Sequence, residues 1–443
     1  MKLTRLACYC TLLLSVPLGH ASSDPFAELD AAVAEANKPQ SDRDAEFEAF
    51  VVDYLAEYQV WRSEYLKEFD EYRAQVIAKW GDGIVSKSHV NVEYSEDKEA
   101  RTIIDFEKNE AKVALLVDSD TSPEQVKQQL EQAAEKALSQ GETLFTEAVG
   151  AAKERPVGEV VEASVSFAKD VEVAAKKVIV EQSRAQLQEI DKESEALLNK
   201  SKAISADLVE SITVKKKEQL IAQTRERLVG LEKTYDEARA KASVLTKKKV
   251  VEYRIQLPAN GLGKRAAKYV DFAEKESERF EISAALVMAI MHSESSFNPK
   301  AKSPVPAYGL MQIVPTTAGH DVNARVRKIN APMQPDELYI ADVNVETGTA
   351  YLNILDKSYL KSITDPQSRL YCTIAAYNTG AGNVAKAFNA DGSRNIRKAA
   401  KVINALSPDE VYQRLLQDLP YDETKNYLKK VTSRIALYEQ HSV

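Results

Sequence analysis

Apolar positions along the chain change their period twice, and each change marks a different kind of element. Phe26, Leu29, Val33 and Ala36 recur at helical spacing before Pro39. Phe47, Val51, Tyr54, Tyr58, Trp61, Tyr65, Phe69, Tyr72, Val76 and Trp80 then step by three or four, which predicts a long helix with an aromatic seam, ended by Gly81-Asp82-Gly83. Core packing is the simplest role for that seam. Val85 to Tyr94, Arg101 to Glu107 and Ala111 to Val117 are short, β-branched and partly alternating, so they read as an antiparallel meander with Lys108-Asn109-Glu110 as a hairpin turn. Lys249 to Leu257 repeats the strand pattern and is expected in the same sheet.

Between these strands the pattern predicts a helical insertion from about 122 to 248. Leu187, Ile190, Ser194, Leu197, Ser201, Ile204 and Leu208 mark one coiled-coil-like seam, and Ile221, Thr224, Leu228, Leu231, Tyr235, Ala238, Ala242 and Leu245 a second. The two are out of register, so the arm either turns back near Ile212-Thr213-Val214 or continues as one helix with a skip. Return of the chain to one sheet favours the hairpin. Ser and Thr at seam positions leave two roles open: an arm that recruits an envelope protein partner, or a solvated insertion packed on its own domain.

Pro258 to Gly263 is the clearest linker. Beyond it lie helical patterns over 264 to 278, a helix capped by Ser283, a helix starting near Pro315, a loop over 323 to 338, and helices over 343 to 360, 366 to 377, 408 to 416 and 422 to 438. The predicted fold is α+β and predominantly helical. An N-terminal domain, residues 22 to 258, combines a helix, a small antiparallel sheet and the long insertion, and an all-α domain follows over 259 to 443.

Composition narrows the class. A formal net charge of −8 argues against a generic nucleic-acid binder. Residues 1 to 21, with Lys2, Arg5 and an apolar run ahead of Gly19-His20-Ala21, look like a secretory signal peptide, too short an apolar run for a permanent transmembrane anchor. The expected location is therefore the periplasm or cell envelope. Cys8 and Cys10 fall inside the signal without a lipobox, so a lipid anchor is not expected, and Cys372 alone can form no intramolecular disulfide in the mature chain. The five histidines have no ligand-like spacing, and no metal or other cofactor is predicted.

The chemistry concentrates at Glu294. Val287, Ile290 and Met291 precede it on the same helical face, so the acid stands where an apolar residue would be expected. Burial disfavours the charged carboxylate and turns such a group into a proton donor near neutrality. Pro299 disfavours helix at Asn298 and closes the element. No second acid is paired with Glu294 by spacing; Asp321 is the next one downstream. Glycoside cleavage usually uses two carboxylates about 5 to 9.5 Å apart, so a lone acid suits a reaction in which the substrate brings its own nucleophile.

Glu294-Ser-Ser-Phe-Asn-Pro299 with Ser303, Gly309-Leu-Met-Gln312, Ala376-Tyr-Asn-Thr-Gly-Ala-Gly382 and Glu423-Thr-Lys-Asn-Tyr427 together resemble, in order and spacing, the four signature motifs of lytic transglycosylases. That resemblance implies a lysozyme-like (SLT) catalytic domain that cleaves the glycan strand of peptidoglycan between N-acetylmuramic acid and N-acetylglucosamine, leaving a 1,6-anhydro end. It implies Glu294 as general acid and then base. It also implies that Ser303, Met311, Gln312, Tyr377, Asn378, Glu423 and Tyr427 bind substrate or frame the acid. Met311 is equally at home in a core, and Glu423 could serve as a first-turn helix acid. Pro306 stiffens the loop between Ser303 and Gly309. The rival readings are a lysozyme-type hydrolase and a non-catalytic wall-binding or assembly module.

Overall fold

The structure, a computed structural model, describes residues 63–139, 158–200, 206–241, 247–257, 260–303 and 306–439. The signal segment, the helix predicted over 24 to 37 and the first part of the aromatic seam lie outside them. The described part of that seam, 63–80, is helical and buries Leu66, Val76, Ile77 and Trp80. Tyr72 and Trp80 meet Tyr94 edge-on, at 6.3 and 5.9 Å between ring centroids. The helix stops at Gly81, where φ is +78° and a Cβ would lie 2.2 Å from the Ser166 carbonyl oxygen, so only glycine fits.

Strands β1 (Val90–Tyr94), β2 (Ala100–Asp105) and β3 (Glu110–Asp118) form the meander, with Asn109 in the left-handed conformation at the second turn. Helix α1 (Pro123–Ser139) follows, then β4 (Gly158–Ser164), and β5 (Lys248–Gln256) completes the sheet. The order is β1-β2-β3-β5-β4, antiparallel throughout. Alternation along β3 divides the core: Ala114 and Leu116 pack with Val76, Ile77 and Trp80, whereas Val117 packs with Val126 and Leu130 of α1. The stretch expected to be wholly helical thus contains a strand. Val160 and Val161 stand among glutamates at the sheet edge, too few apolar residues to announce one.

Helices α2 (Lys169–Lys200) and α3 (Ala206–Ala240) build the arm. It is a hairpin, paired Lys176–Glu232, Ser183–Thr224, Glu193–Lys216 and Ser194–Thr213, and the expected turn at Ile212-Thr213-Val214 lies instead inside α3. The seam hydroxyls satisfy one another. The Ser194 and Thr213 hydroxyls lie 2.6 Å apart, one giving its hydrogen to the other, whose own hydrogen goes to the carbonyl four residues back. The root of the arm is fixed to the sheet domain by Arg227–Asp70 and by the Tyr235 hydroxyl, which donates to the Gly81 carbonyl.

The C-terminal region is helical: α4 (Gly261–Ala267), α5 (Val270–Phe280), α6 (Ala284–Ser295), α7 (Ala341–Ile354), α8 (Pro366–Thr379), α9 (Ala381–Phe388), α10 (Ile396–Ile403), α11 (Pro408–Asp418) and α12 (Asp422–Glu439). Local chemistry sets several starts. Asp365 caps α8 by accepting from Ser368 N–H with Pro366 in the first turn, and Ser407 and Glu410 form a capping box on α11. The helix expected to start near Pro315 is present as a continuous helical run to Arg327, wide-turned over Pro315–Gly319 and Asn323–Arg327, and so extends into the stretch expected as loop from 323. Among the described residues, no helix is long and apolar enough to cross a membrane.

Candidate active site

Helix α6 is apolar on all sides and forms the centre of the C-terminal core. From Ala285 to Asn298 every residue is buried except Glu294, so the helix meets the cleft at one side chain. Ser283 occupies the N-cap position without a side-chain capping bond. The far end is set before Pro299 acts: Ser296 and Phe297 are left-handed, with φ of 51° and 63°. Ser295 Oγ donates to the Leu310 carbonyl at 2.8 Å, tying the first motif to the second.

Burial is the largest influence on the Glu294 carboxyl and raises its pKa to about 7. The negative charge of Glu423 acts in the same direction; the Tyr427 hydroxyl, turned to the carboxyl, and Lys192 act against it. The Glu423 carboxyl is itself raised, by burial first and by the charge of Glu181, with Lys192 acting against them. Spacing did not reveal that α12 brings the charge of Glu423 within electrostatic reach of Glu294.

The other motif residues mostly build the frame. Tyr377 is close enough to feel the Glu294 charge, yet its hydroxyl donates to the Met311 carbonyl at 2.9 Å. Asn378 accepts a hydrogen bond of 2.7 Å from Thr424, joining the third motif to the fourth. Gln312, left-handed with φ of 49°, folds its amide back onto the Gly309 and Ala301 carbonyls. Ser303 Oγ accepts from Ala307 N–H at 3.3 Å within its loop. The Met311 side chain is fully buried against Gly348, so it acts as a core peg.

Two contributions were missed in the sequence. Asn344, buried in α7, donates to the Tyr308 and Leu338 carbonyls and accepts from Met311 N–H, each at 2.8 Å, and so holds the turn at Gly309. The second comes from the arm. Glu189, Asp191, Lys192 and Glu195 of α2 lie against the C-terminal helices. Glu195 accepts from Gly382 N–H at 2.7 Å, and Glu189 from Thr317 at 3.0 Å. Asp191 pairs with Arg394 and accepts from Asn383 at 3.4 Å and the Tyr421 hydroxyl at 3.1 Å, while Lys217 of α3 reaches it at 2.6 Å. Burial raises the Glu195 carboxyl to about 7. The run Glu189-Ile-Asp-Lys-Glu-Ser-Glu195 is an unusual density of acid for a seam, the one local hint of this role.

Residues 271–400 match the family described as Transglycosylase SLT domain. The membrane-bound lytic murein transglycosylase C of Pectobacterium atrosepticum is 46% identical over 179 residues, covering 40% of this chain and 49% of that protein. Its namesake in Serratia proteamaculans is 44% identical over 186 residues, 42% and 51% of the two chains. The chain spans about half the length of the curated relatives it matches. The 70 kDa soluble lytic transglycosylase of Escherichia coli aligns at 21% identity over 71% of this chain and 43% of that one, with a TM-score of 0.31. Residues 271–400, which carry Glu294 and the first three of the four motifs, are thus similar to a transglycosylase SLT domain.

Proposed function

We propose that this protein is a peptidoglycan lytic transglycosylase that cleaves the β-1,4 bond between N-acetylmuramic acid and N-acetylglucosamine without consuming water. Glu294, protonated near neutral pH, gives its proton to the glycosidic oxygen as the C1–O bond breaks, and oxocarbenium character develops at C1. The resulting carboxylate then takes the proton of the muramyl C6 hydroxyl, whose oxygen closes on C1 to give the 1,6-anhydro ring. Glu294 ends the cycle protonated. The observation that carries this reading is the single opening of an otherwise enclosed helix at one acid whose pKa is raised to about 7. In this reading residues 1 to 21 direct export to the periplasm or envelope, 22 to 258 form the domain that bears the arm, and 259 to 443 hold the catalytic machinery.

A lysozyme-type hydrolase is the second reading, and the proximity of Glu423 to Glu294 is what favours it. Burial raises Glu423 too, a direction that leaves it a competent base, and what favours the intramolecular route is the set of motifs that resemble those of lytic transglycosylases. Mass spectrometry of muropeptides released from purified peptidoglycan by the mature protein and by Glu294→Gln tests both. Anhydro ends from the wild type, one water lighter than hydrolytic ends, with turnover by the variant lower by about 100- to 10,000-fold, support the transglycosylase. Reducing ends make it a hydrolase. Binding to peptidoglycan without release by either protein makes it a wall-binding module.

A further inference from the structure

The arm reaches the part of the cleft that a glycan strand needs. A Cβ placed on Gly380 would lie 2.9 Å from Glu195 Oε2 and 3.1 Å from Lys192 Cγ, so α2 fills the space that the third-motif glycines leave open. Gly380 and Gly382 are buried beneath it. Lys192 and Glu195 also close a small pocket with Thr317, Asp321, Tyr351 and Tyr359. No saccharide can approach these backbones while α2 is in place.

Donors on the C-terminal side meet the arm's acids: the Asn383 amide, the Tyr421 hydroxyl and the Arg394 guanidinium meet Asp191, Gly382 N–H meets Glu195 and Thr317 meets Glu189, while an acid facing them, Asp321, lies in the pocket beside Glu195. Three donors on Asp191, with the Gly382 N–H turned to Glu195, suit a carboxylate. The fit to α2 is incomplete, since Arg394, which pairs with Asp191, keeps a buried Nη1 without a partner. Unsatisfied buried groups weaken an interface. An attachment made of exchangeable polar contacts, imperfectly satisfied, is one that a better ligand can displace.

We propose that α2 is an internal pseudosubstrate: Asp191 and Glu195 occupy a carboxylate subsite formed by Gly382 N–H, Asn383, Tyr421 and Arg394, and a strand enters the cleft only when α2 withdraws. This rests on the transglycosylase reading. The ligand that replaces the arm's acids is a carboxylate on the muramyl residue, carried either by its stem peptide or, where the peptide is absent, by its lactyl group. Lys217 leaves with the arm, so the vacated subsite keeps only the donors of the C-terminal region.

The full mature chain and its Asp191→Asn/Glu195→Gln variant are compared for release of products from purified peptidoglycan, with amide hydrogen exchange followed over 186–195. Loss of two charge-assisted contacts is expected to raise release roughly tenfold and to speed exchange in the arm. Cleavage by both chains at one rate, or slower cleavage by the variant, overturns the pseudosubstrate alone. No cleavage by either overturns the transglycosylase reading and this inference with it. A second measurement avoids the variant's folding: soluble murein fragments bound at saturation to Glu294→Gln must speed exchange over 186–195, and unchanged exchange overturns the proposal. Adding Arg394→Gln to the released chain locates the carboxylate. A higher KM on peptide-bearing strands assigns the stem peptide, a higher KM on amidase-stripped strands assigns the lactyl group, and no change on either removes the subsite.

Discussion

The Tyr377 hydroxyl donates to the main-chain carbonyl of Met311 at 2.9 Å, although the ring lies near Glu294. Its bond therefore joins the third motif to the second, and the glutamate is positioned by what this bond holds still. Tyr377→Phe leaves the buried Met311 carbonyl unpaired while keeping the ring. The expected cost is about 1 to 3 kcal/mol in urea unfolding. Turnover falls with it, and the pH optimum stays where it was, because the hydroxyl is not the donor to the acid.

Tyr427 differs in that its hydroxyl does face the Glu294 carboxyl and favours the ionised form. Tyr427→Phe removes that influence, so the Glu294 pKa moves above its present value of about 7. A general acid works only while protonated, and the alkaline limb of the kcat/KM profile is expected to shift to higher pH. An unshifted limb, measured against soluble peptidoglycan fragments, would show that Tyr427 acts on the saccharide instead.

Local signals were sufficient for much of this molecule. Alternation at Val251, Tyr253 and Ile255 returned β5 to the sheet, and the helices expected from Pro366 and Pro408 start there, where Asp365 and Ser407 cap them. What stayed hidden depends on distance along the chain. Asp191 and Arg394 are separated by 203 residues, and no periodicity links an arm to the groove it fills. Neither Gly nor Pro lies between the end of α2 at Lys200 and the start of α3 at Ala206, so the seam shift alone had to separate the two helices, and placed the break too late. Asn344 was hidden for another reason: a polar residue within VNVETGTAY reads as a solvent face, whereas here it is buried by the backbone it binds.

Asn344→Ala tests that last role. Its side chain serves three buried backbone groups around a glycine whose φ is +75° and whose added Cβ would lie 2.3 Å from the Leu338 carbonyl oxygen. Gln312 Nε2 and Ser295 Oγ also donate to this turn, at the Gly309 and Leu310 carbonyls, and Asn344 adds three bonds to those two. A loss of about 2 to 4 kcal/mol in chemical unfolding is expected, with kcat lowered because Gln312 and Met311 follow the turn. A variant within about 0.5 kcal/mol of wild type would transfer the role to the surrounding core.

The carboxyl that makes α6 useful also makes it costly. Glu294 has an ordinary pKa of 4.5 in the unfolded chain and about 7 in the folded one, so between these values the folded state holds a proton that the unfolded state has lost. The stability this group contributes is full below 4.5 and is lost as pH rises through 7, because the folded protein must then keep an ionised carboxylate among apolar groups. Glu294→Gln stays neutral throughout. Its unfolding free energy relative to wild type is therefore expected to rise with pH, reaching a gain of about 1 to 3 kcal/mol at pH 8 and little or none at pH 4. Glu195, raised in the same way, is common to both proteins and cancels in the difference. Urea unfolding of the two proteins at both pH values measures it. A difference that does not change with pH would mean that Glu294 is ionised at no cost, and would remove the basis for its work as a proton donor.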